Sequence, residues 1–411
     1  MFPPAGSVSA RLSGVQMTQN VWLVAAQWMA VALAASLISI RVGISVALIE
    51  ILLGVAAGNF LHFQATEWIN FLAGFGAVLL TFLAGAEIDP ISLRTHWKPA
   101  AAIGVVAFVL PFLGAWFGAY WIFGWEWRAS QIAGIALSTT SVAVVYAVMA
   151  ETGLNATELG KLILAACFIN DLGTVLALGV MFADYTVWLL GFVVVLAGAL
   201  WLLPGTTRAI VQRLGATRVS EPEVKFLFLV LFGLGGLASA VKSEAVLPAY
   251  LVGLVVAGVF LGDRVLMHRM RSVAFALLTP FYFIKAGLYV SLPVVATSAL
   301  LIGALLLLKM VAKVAGIWPT GLAFGYPRRL NAYTTLLMST GLTFGTISAL
   351  FGLEHGIITQ AQYTVLVTVV ILSAVVPTLI AQKFFEPGKA EAQFVPGGGE
   401  ARATACEPAE G

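Results

Sequence analysis

Apolar residues fill this chain in long, unbroken runs, and polar residues sit between the runs rather than alternating within them. The runs fall at about 20–40, 42–61, 68–87, 99–122, 129–150, 159–183, 186–203, 225–241, 246–262, 272–291, 293–318, 330–352 and 361–382. Most hold about 20 residues, the length a helix needs to cross the hydrocarbon core. Barrel strands would be shorter and would alternate, so the runs read as helices. The pattern predicts an all-α polytopic membrane protein of about thirteen transmembrane helices.

Composition agrees. The chain is 60% hydrophobic and 10% charged, with a mean hydropathy of +0.99, against about 25% charged residues in a soluble domain. Loops after odd-numbered spans hold Arg41, Arg94, Lys98, Lys161, Arg208, Arg213, Arg218, Lys225, Arg264, Arg269, Arg271, Arg328 and Arg329. Lys383, Lys389 and Arg402 follow the last span, and the other side holds only Arg11, Arg128 and Lys242. By the positive-inside rule this places the C-terminus in the cytoplasm and the N-terminus outside a bacterial-type inner membrane. The net charge of +3 is therefore topological and implies no nucleic-acid partner. Cys167 and Cys406 suggest neither a disulfide framework nor a metal cluster. Residues 1–18 lack a secretory signal, and 1–19 read as an extracytoplasmic segment. The membrane domain is expected over 20–386. The basic, polar stretch near 204–224 is expected to be a loop joining two halves. The Gly-, Glu- and Ala-rich stretch 387–411 is expected to be a disordered cytoplasmic tail, with no nucleotide-binding domain after the last span. No enzyme activity and no cofactor are expected; lipid is the surrounding partner.

The chemistry lies in the few polar groups inside the runs. Asp171 is the most central acid, in Phe168-Ile-Asn170-Asp171-Leu-Gly-Thr174. A carboxylate at the bilayer midplane costs a few kcal/mol, and such groups usually mark ion or proton pathways. A buried acid that holds a proton in one condition and a metal cation in another is the physical core of cation–proton exchange. Glu50 and Glu87 are the other deep acids. Asn170 is placed to hydrogen-bond a broken helix, and Cys167 shares the helical face of Asp171. Ser138-Thr139-Thr140-Ser141 in the fifth span can satisfy backbone groups freed by an unwound turn. Ser339-Thr340-Gly341-Leu342-Thr343 weakens the twelfth span at a comparable depth. Matched irregular spans point to inverted repeats around a midplane site, and an offset of seven gives repeats of spans 1–6 and 8–13. Lys309 and Lys313, one turn apart in the eleventh span, are candidates to neutralise Asp171. Lys309 is the deeper by these boundaries, and Lys313 is near enough to the end of the run to snorkel. Lys285 is also intramembrane.

At these residues the chain resembles the monovalent cation:proton antiporter superfamily, on the side of bacterial sodium–proton antiporters and glutathione-gated potassium efflux proteins. Similar segments are Ile49-Glu50-Ile-Leu-Leu-Gly54-Val-Ala-Ala-Gly58, Leu79-Leu-Thr-Phe82-Leu-Ala-Gly85-Ala-Glu87-Ile-Asp89, Ala136-Leu-Ser138-Thr139-Thr140-Ser141, Glu151-Thr-Gly-Leu154 and Phe281-Tyr-Phe-Ile-Lys285-Ala-Gly287. Their order and spacing cover about 20–385. The resemblance implies a homodimer in which a core of spans 4–6 and 11–13 (about 99–183 and 293–382) moves like an elevator against dimerisation helices. It makes Asp171 the ligand of a monovalent metal cation, Thr139 and Thr140 the unwound crossing, and Lys313 the core lysine, with Lys309 as runner-up; Asp171, Asn170, Thr139, Thr140 and Ser141 are the expected ion- and proton-binding residues. Glu50, Glu87, Lys285, Cys167, Thr340 and Thr343 are supporting candidates.

Two positions depart from the family pattern. Electrogenic members carry two adjacent aspartates where this chain has Asn170-Asp171. Electroneutral members with Asn-Asp often have a glutamate at the position of Ala166 and an arginine in the partner helix. The expected function is exchange of Na⁺, or K⁺ or Li⁺, for H⁺. A single carboxylate predicts electroneutral exchange. The alternative is a sodium-coupled organic solute symporter on a similar crossed-helix fold. Without rings of repeated charge, a channel is disfavoured.

Overall fold

The computed structural model describes residues 20–393, apart from 43–44, 88–96, 184, 215–220, 242 and 244. The N-terminal segment 1–19, the tail from 394 and the stretch 215–220 of the connecting loop lie outside the described residues.

Described residues form helices and turns only. In chain order the helices are α1 (Val21–Val42), α2 (Val46–Phe60), α3 (Glu67–Ala86), α4 (Trp97–Phe117, extended by a π turn to Ile122), α5 (Trp127–Ser138), α6 (Val142–Thr152) and α7 (Glu158–Met181). They continue with α8 (Val187–Leu214), α9 (Pro222–Ala240), α10 (Val246–Gly262), α11 (Arg264–Val273), α12 (Thr279–Leu288) and α13 (Leu292–Thr297). The last are α14 (Ala299–Ala323), α15 (Arg328–Leu337), α16 (Thr343–Glu354) and α17 (Gln360–Ile380). Nine described stretches are long and apolar enough to cross a membrane, and α2 and α10 are shorter apolar helices. The polytopic helical fold expected from the runs is therefore present; the number thirteen rests on the sequence.

The chain divides into two compact units, one of residues 1–77 with 272–292 and one of 78–271 with 293–411. In the first, α2 and α12 lie backbone to backbone. A side chain at Gly54 would collide with the Ile284 carbonyl, and one at Gly287 with the Ile51 carbonyl. Asn59 closes that pair, donating to the Val55 and Val290 carbonyls at 2.8 Å each and accepting from the Leu292 amide at 3.1 Å. Phe281 is stacked on Trp28 at 5.5 Å, with Trp68 edge-on at 5.7 Å. Glu50 and Lys285 are buried in this unit.

In the second unit α4 packs against α5, α7 and α14. The two irregular spans are interrupted: α5 stops at Ser138 and α6 begins at Val142, while α15 stops at Leu337 and α16 begins at Thr343. The hydroxyl strings explain both stops. Ser138 and Thr139 donate to the carbonyls three residues back, Ile135 at 2.8 Å and Ala136 at 3.2 Å. Ser339 donates to Thr335 at 2.7 Å and Thr340 to Leu337 at 2.8 Å. Such bonds satisfy the last carbonyls of a helix without continuing it. The long helices α7 and α17 each start on a threonine cap, Thr157 accepting from the Gly160 amide and Thr359 from the Gln362 amide, both at 3.2 Å.

Two readings are corrected. The loop expected from 204 is helical to Leu214, passing through Pro204; hydropathy marks where the hydrocarbon ends, not where the helix ends. Residues 387–393, expected to be disordered, form a turn at Glu391–Gln393 with Ala392 fully buried. Arg329 reaches both the turn and the residue before the stretch, pairing with Glu391 at 3.7 Å and donating to the Glu386 carbonyl at 2.6 Å.

Within the second unit, α10 touches the latter half of α3 through glycines. A side chain at Gly253 would meet the Phe82 carbonyl and the Ala86 amide, while Gly258 faces open space. Overpacking costs roughly 1–3 kcal/mol. Gly253→Val should lower the melting temperature of the purified protein, and Gly258→Val on the same helix should not. Equal melting temperatures would refute the close approach.

Candidate functional site

The two breaks meet. The Ser141 amide donates to the Thr340 carbonyl at 3.2 Å, and the Thr140 hydroxyl donates to the Met338 carbonyl at 2.8 Å. The first break thus supplies donors and the second the carbonyls that accept them. Asn170 of α7 completes the first break. Its Oδ1 accepts from the Thr140 amide at 2.9 Å and its Nδ2 donates to the Ser138 carbonyl at 3.2 Å. An amide is the side chain suited to this task, because it offers a donor and an acceptor together.

Asp171, the next residue, is buried, and its Oδ1 has no hydrogen-bond partner. The charge of Lys313 acts on it, yet the Lys313 ammonium donates to the Thr140 hydroxyl at 2.9 Å. Lys309, one turn earlier, donates to the Ser373 hydroxyl of α17 at 2.8 Å. Both lysines are fully buried. The snorkelling read for Lys313 is corrected: α14 runs to Ala323, through Pro319, so Lys313 lies in the helix interior. A side chain on Gly341 would collide with the Lys309 Nζ and crowd the Thr139 and Ser373 hydroxyls. Glycine lets the second break come this close to the lysine.

Other candidates fall in different places. Ser141 accepts from the Val144 amide at 3.4 Å, starting α6. Cys167 is fully buried with its Sγ 3.5 Å from the Met338 sulfur. Thr340 lends its carbonyl to the crossing, whereas Thr343 opens α16 and its carbonyl accepts from the Thr346 hydroxyl at 2.8 Å. Glu87 is not deep. It follows the last residue of α3, is a quarter exposed, and pairs with Arg271 at 2.8 Å. Glu50 and Lys285 belong to the other compact unit. Among the described residues no three His, Cys, Asp or Glu side chains gather as a metal cluster. What the crossing holds is one buried carboxylate with an unpartnered oxygen, next in sequence to the amide that clamps the first break.

Sequence reading missed Ser373 and Tyr250. Ser373 is a lone hydroxyl in the apolar run Val369-Val-Ile-Leu-Ser-Ala-Val-Val. It stands at the same distance from the Thr359 cap of α17 as Asp171 does from the Thr157 cap of α7, a regularity visible once the caps are known. Tyr250 donates to the Phe168 carbonyl at 3.0 Å; nothing in its own run marks it out.

Known proteins resemble this chain over most of its length. The family model described as "Sodium/hydrogen exchanger, transmembrane" matches residues 29–386. A Methanocaldococcus jannaschii protein named "Probable Na(+)/H(+) antiporter 3" is 24% identical over 83% of this chain and 89% of its own length. "Na(+)/H(+)-K(+) antiporter GerN" of Bacillus cereus is 23% identical over 86% of this chain and 93% of its own. The structure of the sodium proton antiporter MjNhaP1 from Methanocaldococcus jannaschii at pH 8 shares the fold, with a TM-score of 0.68, 15% identity, and coverage of 89% of this chain and all of that one. With the model matching most of its length, this chain belongs to the transmembrane sodium/hydrogen exchanger family, whose members are transporters and not enzymes.

Proposed function

We propose that this protein exchanges a monovalent cation for H⁺ by alternating access at Asp171. Na⁺ is the first choice, with K⁺ and Li⁺ as alternatives. One observation carries the reading: a buried carboxylate oxygen without a partner, on the residue next to the one that clamps a broken helix. An ionised carboxylate in that setting demands a proton or a cation. Asp171 is the exchanging group. Thr139, Thr140 and Ser141 supply hydroxyl or freed carbonyl oxygens to the cation, and Lys313 and Lys309 hold the crossing together. The named activity of GerN supports K⁺ as a second substrate. Symport of an organic solute is not favoured, since the relatives are named as antiporters.

Transport then follows from movement of the helices of about 99–183 and 293–382 against the remainder in a homodimer. The protein sits in a bacterial-type inner membrane with the C-terminus in the cytoplasm. The basic loops support that orientation.

The decisive measurement is proteoliposome transport with an internal pH dye. Addition of Na⁺, K⁺ or Li⁺ in turn should produce cation-dependent proton movement. No response to any of them would end the exchange reading. Asp171→Asn should abolish exchange while preserving folding, because an amide cannot trade a proton for a cation. Turnover near that of the unmodified protein would move the ion site elsewhere.

The exchange should also be electroneutral. Asn170 brings no second carboxylate, so Asp171 alternates between one proton and one cation of equal charge. Vesicles clamped at a set potential, with equal pH and equal cation on both sides, should show no sustained proton flux. Flux driven by voltage alone and lost in Lys313→Gln or Lys309→Gln would overturn this and assign a second proton to that lysine.

A further inference from the structure

Tyr250 lies in α10 and is fully buried. Its hydroxyl donates to the Phe168 carbonyl of α7 at 3.0 Å, less than one turn ahead of Asp171, and the charge of Asp171 reaches it. Its ring meets Phe344, near the start of α16, edge-on at 6.3 Å between centroids. The backbone of Tyr250 is fixed from the other direction. A side chain at Gly85 of α3 would collide with the Tyr250 carbonyl, and Gly253, one turn on, backs onto Phe82. One residue is therefore tied by its backbone to α3 and by its side chain to both the aspartate-bearing helix and the second broken helix.

The hydroxyl is not needed to complete α7. Phe168 lies inside a continuous helix, where its carbonyl already has a ladder partner four residues on. Packing alone would be met by a phenylalanine ring. A hydroxyl buried among apolar groups is costly unless it makes a bond, so the bond to α7 is the reason for tyrosine here.

We infer that Tyr250 is a positioning residue for exchange, its hydroxyl latching α7 to the α3–α10 pair in one of the two end positions of the transport cycle. The inference rests on the proposed movement: α7 and α16 fall among the helices proposed to move, α3 and α10 among those proposed to stay. A hydrogen bond tolerates a shift of only a few tenths of an ångström before it weakens, so displacement of α7 along α10 releases the latch. Side-chain hydrogen bonds inside membranes are worth about a three- to tenfold shift in population.

The test uses full-length protein in liposomes with Cys406→Ser and spin labels on Ser239→Cys and Gln360→Cys, two exposed positions at the ends of α9 and α17. Dilution with unlabelled protein restricts the reading to distances within one chain. Pulsed electron resonance should give two label separations whose weights respond to Na⁺ and to pH. Tyr250→Phe should keep both separations and shift their weights about threefold or more, while exchange persists with the cation KM within about twofold, since no cation ligand is altered. Unchanged weights in Tyr250→Phe would overturn the latch and leave the movement standing. A single separation under every condition would overturn the movement, and the latch with it.

Discussion

A backbone interrupted inside a bilayer has no water to turn to, so every amide and carbonyl freed by the interruption must find a partner in the protein. The second unit is arranged around that requirement. Residues 139–141 and 338–342 free backbone groups in two places, and bringing the places together lets them satisfy each other through Ser141 and Thr340. Thr140 makes three bonds at once: its hydroxyl donates to the Met338 carbonyl and accepts from Lys313, and its backbone amide donates to Asn170. Removing any of these would leave a buried polar group unpaired, at a cost of about 1–3 kcal/mol. The side chain that clamps the first break is adjacent in sequence to the carboxylate, so the geometry of the break and the position of Asp171 cannot vary independently.

Much of this was legible in the residues. Four hydroxyl residues in a row inside an apolar run, and a Ser-Thr-Gly string at matching depth, mark helices that cannot continue, because their side chains compete for the carbonyls that the next turn would need. Asn170 and Asp171 stood out because the bilayer makes their presence expensive. What was not legible depended on where helices end in space. Lys313 looked close to an end because the apolar run thins out near 318, yet α14 continues through Pro319 to Ala323. Glu87 looked deep because the apolar run was drawn to include it, yet it follows the end of its helix and meets Arg271, a partner far away in sequence. Ser373 and Tyr250 are single polar groups in apolar runs, and their importance comes only from what faces them.

The lysines invite a comparison with the expectation that one of them neutralises Asp171. A buried ion pair would offset much of the cost of both charges, but it would also occupy the carboxylate, and an incoming cation would have to break it. In this structure Lys313 and Lys309 are each engaged by a hydroxyl. They lie near the segments that follow the ends of α5 and α15, and helix C-termini carry about half a negative charge each. The ammonium groups thus have carbonyl dipoles to offset, and one Asp171 carboxylate oxygen is left without a partner.

Coupling follows from the same arrangement under the proposed function. If Asp171 crossed the membrane ionised and alone, its charge would be desolvated with a bare oxygen, the most expensive of its states. With either a proton or a monovalent cation, the charge is cancelled to the same extent. The barrier to movement is then low for both loaded forms and high for the unloaded one, so the carrier returns only if it has picked up the second ion. Exchange rather than leak needs no further gate under that proposal: one carboxylate, not paired directly to a lysine and buried beside a clamped break, is sufficient.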